Sequence, residues 1–398
     1  MDLGKKRTYL DWASAAPVSK GAMNAFERAV KADGNPSAPH AEGRAAKGIL
    51  EAARTTIARL AEVKTDSVIF TSGATEANNL ALSGHIQAVR TANPVQKLHI
   101  LYLPTAHASV IETVRMLGTF GVETEPLVIA GGAIDLQALA KQVRPETVLV
   151  AMDAVCGETG ARFDTRGVRR VLDASRKESH ETDDLRHPAL HVDASQLPLE
   201  ESFELTRLGA DMLTLDAQKV GGMRGIGALI VRHGTALTAI MQGGGQESGL
   251  RPGTEIPALA ASFVAALSKT KEQRDVFVQR AGEARARLIE TVHAGIPDME
   301  INEGKEQAPH ILNLSFPARD TDYAVALLDE SGFAVSTKSA CETDAEGSRV
   351  VSALTGDPQR AGSTLRISWG PATPARDLER FAKALVRTIR FLDAHRLY

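Results

Sequence analysis

The stretch Met212-Leu213-Thr214-Leu215-Asp216-Ala217-Gln218-Lys219-Val220-Gly221-Gly222 decides how the chain is read. Its apolar opening predicts a buried strand, its polar middle presents a lysine, and its glycines make a turn. A second apolar run, Gly227-Ala228-Leu229-Ile230-Val231, follows at once. A lysine held between two buried strands is costly to desolvate, so its pKa falls and it becomes a candidate Schiff-base nucleophile. A lone lysine at a strand end is otherwise a surface group, so its meaning depends on what the rest of the chain brings to it.

Upstream, Ser67-Val68-Ile69-Phe70-Thr71 predicts a strand, Ser72-Gly73-Ala74-Thr75-Glu76 a tight turn, and residues 77–87 a helix. Strand, glycine-containing turn and helix are how α/β folds offer backbone N–H groups to an anion. Thr75 adds a hydroxyl there, or serves simply as the helix N-cap. No G-x-G-x-x-G dinucleotide fingerprint is present. The alternation continues with strands expected over 98–103, 122–129, 147–152 and 189–193, and helices over 109–117, 135–143 and 164–175. Before this block, a strand is expected at Tyr9-Leu10-Asp11-Trp12, helices over 19–31 and 48–60, and a loop over 33–40. Residues 179–187 are charged and carry no structural expectation. Such alternation argues for an α/β fold, a mostly parallel sheet with helices on both faces. In open sheets of this kind ligands gather at the C-terminal strand ends. Thr75, His107, Asp193, Gln196 and Lys219 all fall just past predicted strand ends.

After Arg251-Pro252-Gly253-Thr254 the texture changes. One long helix is expected over 257–292. It leads into strands over 311–316, 333–336 and 364–368, and helices over 321–331, 348–354 and 374–392. The expected organisation is a large domain over 14–256 and a smaller α+β domain over 257–398 that also takes in residues 1–13.

Composition excludes several classes. The chain has 398 residues, 43% hydrophobic and 24% charged, which suits a globular protein large enough for two domains. A net charge of −3 predicts no broad attraction to nucleic acid or anionic membrane. No run approaches the length of a membrane helix, and the N-terminus lacks the apolar core of a signal peptide. The two cysteines, Cys156 and Cys341, form neither a disulfide framework nor a zinc cluster. No metal site is expected, and the expected location is the cytoplasm.

The residues permit a particular chemistry. An aspartate at a strand end, Asp193, can pair with a protonated ring nitrogen; it can equally cap a helix. His107 can stack on a flat ring, or be a core or cap histidine. Lys219 can form an imine with an aldehyde, and a phosphate can rest on the helix start at Thr75. Together these describe a site for pyridoxal phosphate, whose electron-sink behaviour needs a protonated pyridine and a lysine-bound aldehyde. Cys341 lies in a polar loop, Thr337-Lys338-Ser339-Ala340-Cys341-Glu342-Thr343-Asp344, where its thiol is expected to be accessible. Cys156 reads as a packing residue. Arg366 is a charge in an apolar strand and needs an anion, either an internal carboxylate or a substrate carboxylate.

At these residues the sequence resembles the cysteine desulfurases, in the class V group of pyridoxal-phosphate enzymes. The segments that carry the resemblance include Gly34-Asn35-Pro36-Ser37, Phe70-Thr71-Ser72-Gly73-Ala74-Thr75-Glu76, His191-Val192-Asp193-Ala194-Ser195-Gln196, Arg224-Gly225-Ile226-Gly227-Ala228-Leu229, Arg251-Pro252-Gly253-Thr254 and Ser339-Ala340-Cys341. The resemblance implies a fold type I transferase. In it Lys219 would hold the cofactor and shuttle protons, and His107 would stack on the ring and assist proton transfer. Asp193 would pair with the ring nitrogen, Gln196 would contact the ring hydroxyl, and Ala74 and Thr75 would bind phosphate. Thr254 would reach the phosphate of the other subunit, which implies a homodimer. Arg366 would bind the substrate carboxylate. Cys341 would take sulfur from L-cysteine as a persulfide, leaving alanine, and pass it to acceptor or iron–sulfur scaffold proteins for iron–sulfur cluster or thio-cofactor synthesis.

The sequence departs from that family in two places. Asp216-Ala217-Gln218 stands where Ser-x-His is usual, so Asp216 and Gln218 occupy positions that resemblance puts at the cofactor phosphate. Val155-Cys156-Gly157-Glu158-Thr159-Gly160 stands where Asn-Asn-Glu-Thr-Gly is usual, one residue longer before the motif. Both bear on cofactor affinity and substrate choice. The rival readings are a class V relative acting on another substrate, such as a selenocysteine lyase or an aminotransferase, and a non-catalytic homologue acting as a binding subunit.

Overall fold

The structure is a computed structural model that describes residues 7–179, 187–337 and 347–395. Seven strands build the main sheet, in the order Val68–Thr71, Gly227–Val231, Met212–Asp216, Ala189–Asp193, Thr147–Asp153, His99–Tyr102 and Glu123–Pro126. Gly227–Val231 is antiparallel to both neighbours, and the other pairs are parallel. Every residue of Val68–Thr71, Thr147–Asp153, Ala189–Asp193 and Met212–Asp216 is buried. Successive strand side chains point to opposite faces, so both faces of the sheet are covered. The edge strand Glu123–Pro126 is charged and partly exposed, which blunts it against further pairing. This is the mostly parallel α/β sheet that the alternation predicts.

A second, antiparallel sheet holds Glu300–Ile301, Ile311–Ser315 and Thr364–Ser368 in that order. Thr8–Tyr9 pairs in parallel with Phe333–Ala334. The helix Pro257–Gly295 serves both sheets: over 39 residues it runs about 58 Å. Its Ala260, Phe263, Ala266 and Leu267 belong to the apolar cluster of the main sheet. Its Phe277, Ala281, Leu288 and Val292 belong to a second cluster built with Leu312, Leu365, Trp369, Phe381 and Leu385. The intervals of three, four and seven residues keep each set on one helix face.

Several boundaries differ from the sequence expectation, each for a physical reason. The 48–60 helix spans Ala41–Ala61, so it begins directly after the expected loop and seven residues earlier than expected. Its opening turn has no apolar stripe, and it closes instead through His40, whose Nδ1 accepts from Gly43 N, and through a close approach at Gly43. A Cβ on Gly43 would lie 2.4 Å from Ala38 O. The expected 122–129 strand is two pieces, Glu123–Pro126 and Ile129–Ala130. The second piece forms a hairpin with Ala133–Ile134 through Gly131 and Gly132, at φ of 56° and 73°, a turn that favours glycine at both positions. The N-terminal strand is only Thr8–Tyr9, and its continuation bridges Ser368 through Asp11. The helix expected to start at 77 begins at Ala74 with Gly73 as its N-cap, so Thr75 lies inside the first turn and does not cap it. Residues 180–186 of the charged stretch and the loop bearing Cys341 lie outside the described residues.

Candidate active site

The lysine turn is fixed from both sides. Strand Met212–Asp216 ends in a short turn, Ala217–Lys219, that Asp216 caps by accepting Gln218 N at 3.0 Å. Gly221 follows at φ 80°, and a Cβ there would lie 3.2 Å from Pro17 O. The small residues 13–17 are therefore packed against the turn: Ala16 N donates to Gln218 O and Ser19 N to Gly221 O. Lys219 Nζ donates to Ala13 O and Ser14 O, both at 2.8 Å. Burial holds the Lys219 pKa below the ordinary lysine value; Asp216 works against this and the Arg366 charge adds to it. The desolvated lysine inferred from the sequence is present.

Asp193 closes its strand beside this turn. Its Oδ1 accepts from Ser195 N at 2.9 Å and its Oδ2 from Asn78 Nδ2 at 2.8 Å. It caps no helix. Asn78 also donates to Ser109 Oγ, which pairs with His107 Nδ1 at 2.8 Å. His107 N-caps the helix Ala108–Thr119, accepting from Ser109 N, so the cap reading and the site reading hold for the same residue. Burial lowers the His107 pKa against the pull of Asp193, with Lys219 and Arg349 adding to the lowering. The His107 backbone N donates to Asp153 Oδ2 at 3.1 Å. Asp153 is itself buried, and burial with the neighbouring Asp193 pushes its pKa well above the usual carboxylate value.

Gln196 is buried and donates from Nε2 to Ala13 O at 2.9 Å, the carbonyl that also receives Lys219. Arg366 is 3% exposed and finds an internal carboxylate. Its Nη2 donates to Asp11 Oδ1 at 2.8 Å and to Ser14 Oγ, and its Nη1 to Gly157 O at 3.0 Å. Its Nε is buried with no hydrogen-bond partner, so one guanidinium donor is unsatisfied.

At the start of the helix Ala74–Ala92, the backbone N–H of Ala74 donates to Asp216 Oδ2 at 3.1 Å. Gln218 Nε2 reaches the same oxygen at 3.3 Å. Thr75 is exposed. Thr254 is also exposed and makes no hydrogen bond to these residues, although its near neighbour Arg251 pairs with Glu76 at 3.0 Å beside the same helix start. Cys156 is buried, with Thr159 N donating to its Sγ at 3.5 Å, and burial pushes its pKa up to about 11. That is the packing thiol expected. No group of three or more His, Cys, Asp or Glu able to hold a metal ion occurs among the described residues.

The structure thus gathers these residues in three hydrogen-bonded groups whose charges act on Lys219: Ala74 with Asp216 and Gln218, Gln196 and Arg366 with Lys219 through Ala13 and Ser14, and Asp193 with His107 through Asn78 and Ser109; Thr254 joins none of them. Sequence reasoning missed Asn78, Ser109, Asp153, Asp11 and Ser14. Asn78 had a usable signal: it stands four residues after Ala74, on the same helix face, as a polar residue in an apolar setting. Asp153 extends a strand read as ending at Met152.

The profile of the family described as Aminotransferase class-V matches residues 8–381. Cysteine desulfurase IscS 1 of Archaeoglobus fulgidus is 32% identical over 389 residues, covering 96% of this chain and 97% of that protein. Among solved structures, a NifS-like protein superposes with a TM-score of 0.87 at 26% identity, over 97% of this chain and 100% of the other. SspA in complex with cysteine superposes with a TM-score of 0.74 at 27% identity, over 92% of this chain and 99% of the other.

Proposed function

The chain belongs to the class-V aminotransferase family, and from that premise we propose that it is a cysteine desulfurase, converting L-cysteine to L-alanine and delivering the sulfur. The observation that carries this is the desolvated Lys219 amine, joined through Ser14 to the buried Arg366 and facing the field of Asp193.

The residues at the ring end fit pyridoxal phosphate. Lys219 offers a partly buried amine, and Asp193 has two accepted hydrogen bonds and room for more on its carboxylate. Bound there, pyridoxal phosphate supplies an electron-withdrawing ring that accepts charge from the substrate carbon. Lys219 holds it and carries a proton at Nζ. Asp193 pairs with the ring nitrogen, and Asn78 and Ser109 fix Asp193 and His107 relative to one another. His107 would stack on the ring, with its pKa lowered by desolvation. Gln196 supports the ring hydroxyl. Ala74, Thr75, Asp216 and Gln218 lie at the phosphate end, and Thr254 completes the site of a second copy, which makes the working unit a homodimer. Arg366 orients the substrate carboxylate.

Cys341 receives the sulfur. Its thiolate forms an S–S bond with the substrate sulfur as the carbon–sulfur bond breaks, and the carbon takes a proton to leave as alanine. Both described flanks of its segment attach to the site. Ser336 pairs with Arg366, and Arg349 Nη2 donates to Ala106 O, next to His107. The persulfide then passes to acceptor or iron–sulfur scaffold proteins. The proposal includes a large domain over 14–256 and a smaller one over 257–398 with 1–13; the two apolar clusters fit a division into two units, with residues 260–267 packed on the first and Leu199 on the second. No helix among the described residues is long and apolar enough to cross a membrane.

The test is alanine and sulfide formation from L-cysteine, with pyridoxal phosphate and a thiol reductant supplied. Equal amounts of the two products are expected, and Cys341→Ser should retain the cofactor yet yield no persulfide. A yellow protein that forms no alanine would overturn the substrate in favour of selenocysteine or an amino donor. A protein that stays colourless would overturn the enzyme reading itself.

A further inference from the structure

We infer that Asp216 is the residue that sets how much charge the site accepts at the start of the Ala74–Ala92 helix, so that this protein discriminates only weakly between pyridoxal phosphate and unphosphorylated pyridoxal. The inference rests on the proposed cofactor.

A phosphate at this place would draw on the helix-start N–H groups and the positive end of the helix dipole. The first of those donors is already used. Asp216 Oδ2 accepts from Ala74 N at 3.1 Å, and a Cβ on Gly73 would lie 3.5 Å from that oxygen. The carboxylate is buried. It is held by a second anchor, Oδ1 on Gln218 N at 3.0 Å, and by the Gln218 side chain at 3.3 Å. Lys219 feels it as the leading charge that opposes its desolvation. A tethered anion therefore occupies the cradle, and its attachment to the same strand end as the lysine keeps it there. An incoming phosphate must either displace it from Ala74 N or sit against a like charge. Pyridoxal, which lacks the phosphate, meets neither obstacle.

The test compares aldehyde binding by the full chain and by Asp216→Ser and Asp216→Asn. Binding is read from the long-wavelength absorbance of lysine-bound aldehyde and from borohydride-trapped mass on Lys219. The wild type should bind pyridoxal phosphate and pyridoxal with dissociation constants within about tenfold of each other. Both substitutions should tighten pyridoxal phosphate by about tenfold or more relative to pyridoxal, a ratio in which any common effect on the Lys219 amine cancels. Asp216→Asn keeps the side-chain volume and an acceptor for Gln218 N, so its result stands even if Asp216→Ser folds poorly. A strong wild-type preference for the phosphorylated form, unchanged or reduced in the variants, overturns the inference. Inorganic phosphate separates this from failure of the cofactor proposal. If neither aldehyde labels Lys219, phosphate should still raise the melting temperature of Asp216→Asn and not that of the wild type. Equal phosphate responses in the two proteins overturn the inference on their own.

Discussion

A single partly buried, desolvated amine organises the site. Lys219 gives up water on entering the turn after Met212–Asp216 and recovers only two carbonyl acceptors, Ala13 O and Ser14 O. Burial therefore moves its pKa below the usual 10.5, and the nearby Arg366 charge acts in the same direction. A lowered pKa means that more of the amine is neutral, and so nucleophilic, at a given pH. Labelling by a small amine-directed acylating reagent, followed by mass across a pH series, should show a midpoint for Lys219 below 10.5. Because Asp216 raises the Lys219 pKa, Asp216→Asn should move that midpoint lower still. A wild-type midpoint at or above the free-lysine value would sink the claim that burial tunes the amine. The lysine and its aspartate were legible in the sequence because a polar interruption between two apolar runs marks the end of a buried strand, where an α/β sheet presents its side chains to a ligand. Asp11 was not, because nothing local marks a carboxylate that pairs with Arg366 from 355 positions away.

Turns set the precision of this arrangement, and glycines set the turns. Gly221 has φ 80° and stands against Pro17 O, which locks the N-terminal segment onto the lysine turn. Alanine there must adopt a disfavoured conformation and press a methyl against a carbonyl, so Gly221→Ala should cost about 1–2 kcal/mol. Gly282 offers the opposite case: it lies within the Pro257–Gly295 helix with nothing within 4 Å of an added Cβ. Gly282→Ala should stabilise the protein by about 1 kcal/mol. Urea unfolding of both variants tests the pair, and equal effects would show that the Gly221 contact carries no weight. The same physics explains which elements the sequence revealed. Continuous apolar strands such as Ala189–Asp193 announced themselves, with bounds that match. The start of Ala74–Ala92 did not. Its first N–H is satisfied by Asp216, 142 positions downstream, and a reading that looks for local caps turned to Thr75 instead. The hairpin at Gly131-Gly132 was missed for another reason: its arms are two residues each, too short to show alternation.

At the scale of the whole molecule, two apolar clusters share one long helix, and each lies beside a histidine that burial keeps neutral. The change of texture after Thr254 marks the start of the long helix, but not that its first half packs with the main sheet or that Leu10 and Leu199 join the second cluster. His310 lies in this region against the Phe277 ring, with both ring nitrogens buried and unpartnered. Burial drops its pKa from 6.5 to about 4. His191, in the main sheet, is lowered by burial to about 4 as well. A histidine lowered in the folded state is protonated preferentially in the unfolded chain, so its contribution is intact above pH 6.5 and is lost as pH falls towards 4. For His310 the loss at pH 5 is about 2 kcal/mol. Glu200 acts with the opposite sign. Burial raises its pKa from 4.5 to about 7, so it binds a proton more readily when folded and weakens the fold as pH rises from 4.5 through 7. The two effects are separable by substitution. His310→Leu, of similar volume and without the titrating ring, should flatten the acid limb of stability measured by urea unfolding between pH 7 and pH 5. Glu200→Gln should remove a loss of stability that runs from pH 4.5 through about 7, and so steepen the gain between pH 5 and pH 7 that the histidines produce. If His310→Leu follows the wild-type curve at every pH, the histidine beside Phe277 is not excluded from water, and the acid sensitivity must arise from His191 and the sheet around the lysine.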